Sequence, residues 1–257
     1  MKSLFQWSAV FAGAAYAAFC LLLYVSQRSM MYLPPEETEA ADATAIRVSS
    51  GEQSLKIWRS GKHTEAILYF GGNAENVAWN IATFRSYFPG LSIYLVNYRG
   101  YAGSTGSPTE KGFYQDALNV YDYIQPAHKN IHVIGRSIGA AVATYLASQR
   151  DVERLVLITP FDSALNMARD IYPYVPVNLL LKDRFEAAKY AADVSADVHV
   201  LIAEEDGIVP RKRTDALIEA FSPGQLAINI VEGATHNNID GFNDYRAALI
   251  SSLSGRN

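Results

Sequence analysis

Gly135-Arg136-Ser137-Ile138-Gly139 lies between a short apolar run, residues 131–134, and a run of small residues, 140–148. The first reads as a strand and the second as a helix, so Ser137 falls on a strand-to-helix turn. A serine hydroxyl is a poor nucleophile unless it is exposed, set beside a base and faced by donors that stabilise an oxyanion. A sharp turn supplies the exposure, and glycines on either side keep Cβ atoms out of a tight backbone. The chain must then provide a base, an acid to orient it and a pair of oxyanion donors.

Working outward from that turn, strands are expected at residues 55–58, 67–70, 93–97, 155–158, 198–203 and 227–231. Helices are expected at 74–88, 113–124, 211–221 and 242–253. Alternation of near-continuous apolar strands with helices means an α/β fold, with a mostly parallel central sheet covered on both faces. Residues 161–192 break the rhythm with Pro173, Pro176 and several aromatics. They read as a small cap inserted between two strands.

In such a sheet, functional loops gather at the carboxyl ends of the strands. Asp206 follows the 198–203 strand and His236 follows the last one. The order Ser137, Asp206, His236 assigns His236 as general base and Asp206 as the carboxylate that fixes its tautomer. Glu204, Glu205 and Asp162 are competing acids, and Asp162 otherwise reads as a helix N-cap. Gly71-Gly72-Asn73-Ala74 opens a helix after an early strand. Its expected use is an oxyanion hole built from the backbone amides of Asn73 and Ile138. Phosphate binding is the other use, though the fuller glycine pattern for it is missing. His63, His128, His132 and His199 sit in turns or at strand starts, where structural roles are expected. Arg99 is expected to hold its loop, and the role of Arg136 is open. No His/Cys/carboxylate cluster at metal-ligand spacing is present in the sequence, and this chemistry needs no cofactor.

Bulk properties fit one large domain. The chain has 257 residues, 49% of them hydrophobic and 19% charged, which excludes disorder. A net charge of −4 argues against nucleic acid as a partner. Cys20 is the only cysteine, so no intrachain disulfide exists. Residues 4–25 carry no charge and are long enough to cross a bilayer, with Trp7 and Tyr24 near the two interfaces. The run lacks a good signal-peptide cleavage site, so residues 1–28 read as a retained anchor standing apart from a domain at 29–257. Lys2 and the α-amino group outweigh Arg28 slightly, which favours an extracytoplasmic domain.

From about Gln27 onward the chain resembles the membrane-anchored serine-hydrolase branch of the α/β-hydrolase superfamily, the group of the yeast bud-emergence protein and mammalian α/β-hydrolase-domain proteins. The resemblance rests on Tyr32-Leu33-Pro34, Gly72-Asn73-Ala74, Asn97-Tyr98-Arg99-Gly100-Tyr101, the Ser137 turn, Pro160-Phe161-Asp162-Ser163, Asp206-Gly207-Ile208-Val209-Pro210 and His236-Asn237. Gly71 stands where that group usually has histidine, so one side-chain contact of the loop is lost. The resemblance implies hydrolysis of an ester or thioester of a small or acylated substrate. An amidase or aminopeptidase using Glu204 or Glu205, and a non-catalytic membrane scaffold, are the alternatives. The apolar residues Phe161, Ile171, Tyr172, Tyr174, Val175, Val177 and 179–181 are expected to shape an acyl pocket in the cap.

Overall fold

The computed structural model describes residues 2–253. It opens with helix α1 (Lys2–Met31), followed by β1 (Thr44–Ser50), β2 (Gln53–Ser60) and β3 (Glu65–Phe70). Next come α2 (Ile81–Tyr87), β4 (Ser92–Val96), α3 (Glu110–Ile124), β5 (Asn130–Arg136) and α4 (Ile138–Gln149). After β6 (Arg154–Ile158) the cap inserts α5 (Ala164–Ile171), α6 (Val177–Leu180) and α7 (Ala187–Ala191). The chain ends with β7 (Asp197–Ala203), α8 (Arg211–Ile218), β8 (Leu226–Val231) and α9 (Asn243–Leu253).

One eight-stranded sheet runs β1-β2-β4-β3-β5-β6-β7-β8. β2 pairs antiparallel with β1 and β4, and the remaining pairs are parallel. The inner strands β4 and β6 are buried at every residue, which is why they read as continuous apolar runs. The small residues of α4 let it lie close on the sheet, with nine of its positions buried. Phe113 of α3 stacks on Tyr98 at 4.1 Å and meets Phe185 of the cap at 6.2 Å. Burial of each such phenylalanine contributes about 1.5–3 kcal/mol.

Two local expectations are corrected, and two features go beyond what the sequence reading described. Residues 44–50 form an edge strand that their half-exposed, polar-rich sequence hides. Residues 74–88 are not one helix. Asn76 caps a 3-10 turn by accepting from the Ala78 amide, and Glu75 turns back to the preceding loop, so α2 starts at Ile81. The N-cap of α5 is Ser163, whose hydroxyl accepts from the Asn166 amide at 3.0 Å, rather than Asp162. Finally, α1 runs directly into the body of the fold. It continues to Met31, and the next residue, Tyr32, is buried edge-on against Phe113 and Phe185.

Candidate active site

Ser137 sits between β5 and α4 at φ 53°, ψ −117°, a left-handed conformation that costs a non-glycine residue about 1–3 kcal/mol. The surroundings hold it there. The Ser137 amide donates to Ile158 O at 2.9 Å. A Cβ on Gly139 would strike the carbonyl oxygens of Phe70 and Gly71, and one on Gly135 would strike the Gly139 carbonyl. The two glycines therefore let the elbow close against the loop after β3.

His236 follows β8 and is buried. Its Nε2 lies 3.1 Å from Ser137 Oγ, and its Nδ1 lies 2.7 Å from Asp206 Oδ2. Asp206 Oδ1 accepts from the amides of Ile208 at 2.9 Å and Val209 at 2.7 Å. Burial pushes the Asp206 carboxyl up, but the bonds from His236 and these two amides outweigh it and hold the group below its ordinary value. An ionised carboxylate only accepts, so Nδ1 carries the ring proton and the Nε2 lone pair faces the serine hydroxyl. The three residues selected from the sequence are thus brought into one hydrogen-bonded chain.

Asn73 and Ile138 flank the same space. Ile138 begins α4, so its amide has no acceptor within the helix. In the neighbouring loop, the Gly72 amide is taken by Glu75 Oε2 at 2.7 Å. The Asn73 side chain is locked too. Its Oδ1 accepts from Tyr101 Oη at 2.8 Å and from the Leu33 amide at 3.1 Å, and its Nδ2 donates to Met31 O. A Cβ at Gly71 would meet Val77 Cγ1, so a side chain at this position needs a different course for the segment after it.

Glu75 was not singled out by sequence reading. It accepts from Tyr69 Oη at 2.6 Å and from Asn80, and it lies 3.9 Å from Arg136. Arg136 in turn donates to His236 O at 3.2 Å. The open question of Arg136 is answered: it links the Gly72–Glu75 loop to the His236 loop. Burial disfavours its charge, but Tyr69 and Glu75 outweigh that and raise it. The signal was present as a carboxylate three residues after a loop glycine, a spacing that lets a side chain cap a backbone amide.

The remaining candidates have other duties. Arg99 grips Asp116 through two bonds of 2.7 and 2.6 Å and holds the 99–108 loop on α3, as expected. Asp162 pairs with Arg213 at 3.4 Å and fastens the cap base to α8. Glu204 accepts from the Gly233 amide at 2.9 Å and steadies the His236 loop. His132 is buried on β5, and His128 bonds the Tyr94 hydroxyl at 2.9 Å.

Over Ser137 opens a cavity of about 460 Å³, within the usual range for small-molecule sites. Its lining is overwhelmingly apolar. Phe161, Ile171, Tyr172, Val175, Val177, Leu180 and Leu181 of the cap contribute, whereas Tyr174 and Leu179 point outward. The opposite side is supplied by α1.

The sequence pattern of the alpha/beta hydrolase family matches residues 70–216, which hold the Asn73 loop, Ser137 and Asp206. The chain belongs to the alpha/beta hydrolase family. It is 30% identical to an uncharacterized protein of Mycobacterium tuberculosis over 84% of this chain and 83% of the relative. Human alpha/beta hydrolase domain-containing protein 17B is 25% identical over 90% of this chain and 82% of its own length. Among solved structures, the Pyrococcus furiosus esterase Pf2001 superposes with a TM-score of 0.70 at 15% identity, covering 87% of this family member and 96% of the esterase. That likeness is one of fold.

Proposed function

We propose that the protein is a serine hydrolase that cleaves carboxylic esters or thioesters through an acyl-enzyme. The observation that carries this reading is the hydrogen-bonded chain Asp206–His236–Ser137 at the floor of an apolar cavity. His236 takes the Ser137 proton as Oγ attacks the carbonyl carbon. The developing oxyanion is met by the amides of Asn73 and Ile138. The imidazolium, stabilised by Asp206, then protonates the leaving alcohol or thiol. Water, deprotonated by the same histidine, attacks the acyl-serine and releases the acid.

The apolar lining favours an acyl group over a charged peptide terminus, and Glu204 is committed to the Gly233 amide. The test is turnover of matched p-nitrophenyl esters, acyl thioesters and aminoacyl anilides, with Ser137→Ala as control. Ester or thioester turnover that vanishes in the variant is expected. Turnover of anilides alone would move the assignment to an amidase.

Residues Gln6–Met31 of α1 are long and apolar enough to cross a membrane. We read α1 as a retained single-pass anchor with the hydrolase body on the extracytoplasmic side. Protease protection in membrane vesicles tests the topology: a body digested only from that side is expected.

A further inference from the structure

One wall of the cavity over Ser137 is not supplied by the hydrolase body. Leu23, Gln27, Met30 and Met31 of α1 line it opposite the cap. α1 has 30 residues and is about 45 Å long, against a hydrocarbon core of about 30 Å. The surplus lies at its carboxyl end, where Ser26, Gln27, Arg28 and Ser29 interrupt the apolar run.

Two of those polar residues bind the cap. Gln27 donates to Leu180 O at 3.0 Å and accepts from the Lys182 amide at 2.7 Å, and Arg28 pairs with buried Asp183 at 2.7 Å. Further up, Tyr16 Oη donates to Tyr174 O at 2.7 Å. From Tyr16 to Arg28 the cap therefore follows the helix for about 18 Å, counted at about 1.5 Å per residue, into the stretch that spans the bilayer. Its outer face matches that depth. Tyr174 and Leu179 are 89% and 83% exposed, apolar side chains suited to the acyl boundary of a membrane rather than to water.

We propose that the cavity is a binding site for a single acyl chain that enters sideways from the bilayer, with α1 as its wall and the cap dipping into the lipid. The proposal rests on the hydrolase reading only for what happens to the chain's carbonyl end at Ser137. The stitching of Asn73 to Met31 and Leu33 gives the seated helix a direct hold on the loop beside the serine.

The full chain in phosphatidylcholine vesicles provides the test. Leu23→Trp and Met30→Trp narrow the cavity from the α1 side, while Leu22→Trp changes an exposed residue that does not line it. The ratio of kcat/KM for p-nitrophenyl laurate over acetate should fall about tenfold or more in the first two variants and stay unchanged in the third. An equal ratio in all three would overturn the proposal. A second readout needs no turnover: Ser137→Ala protein in vesicles doped with a phosphatidylcholine carrying a diazirine on its acyl chain. Photolabelling at Met30 and Met167 is expected, and label confined to the outer face of residues 6–22 would overturn the proposal. Cavity labelling in a protein that hydrolyses neither ester would leave the acyl site standing and remove the hydrolase reading instead.

Discussion

The loops around Ser137 and the cap around the cavity are built on opposite terms. The first region is dense in polar contacts. Glu75 and Asp206 bind amides of their own loops, while Arg136, Glu204 and Asn73 bind backbone groups of other segments, so the serine and histidine are held by several elements at once. The second region is three short helices with an apolar inner face, tied at the rim by side chains of α1 and by ion pairs from Asp162 and Asp170 to α8. Reaction chemistry needs fixed distances of about 3 Å, and a charge-assisted network is stiff at that scale. Acyl binding needs volume and dryness, which packing supplies with little directionality.

If that division is right, substitutions should separate cleanly by what they change. The largest effect belongs to Ser137→Ala, which should lower turnover by about 10⁴-fold or more without shifting the melting temperature. Next comes Glu75→Gln. It weakens the hold on the Gly72 amide and on Arg136, so kcat should drop on the order of 10²-fold while KM changes little. A rise in KM alone would mean that Glu75 serves binding and not the reacting geometry.

Asp183→Ala attacks the other region. It removes the buried partner of Arg28 and an acceptor for the Glu110 amide, so stability should fall by about 1–3 kcal/mol in detergent-solubilised full chain. Long-chain ester turnover should suffer more than acetate turnover. Equal losses on both would show that the cap and the catalytic loops are not separable.

The smallest effect concerns pH. Burial holds the His132 ring below its ordinary pKa, so the unfolded chain binds the proton more readily than the folded one. Stability then rises with pH, being fully present above about 6.5 and lost as pH falls toward the folded-state value. His132→Gln should flatten the dependence of melting temperature on pH between about 7 and 5. Catalysis at a fixed pH should be left alone, because His132 lies outside the active-site loops.

The same contrast explains what could be read from the sequence. The strands β2 to β8, the Ser137 turn and the order of Asp206 and His236 were legible, because apolar runs and glycine-bearing turns are local signals. Arg99 holding its loop was legible for the same reason. The edge strand β1 was not, since half of its residues face water and no period stands out. The Glu75–Arg136 bridge was hidden because it joins loops far apart in sequence through side chains of ordinary type. The wall that α1 gives to the cavity was hidden most deeply. A run that qualifies as a membrane span says nothing of what packs beside it, and only Tyr32-Leu33-Pro34 marked where it plugs into the core.

The most direct test of the central claim is intact-mass analysis of the full chain after exposure to a fluorophosphonate, beside Ser137→Ala and His236→Ala. The account predicts one phosphonyl adduct on Ser137 in the parent protein, none in Ser137→Ala, and labelling slowed by orders of magnitude in His236→Ala. An unmodified parent protein, or an adduct that persists without Ser137, would contradict it.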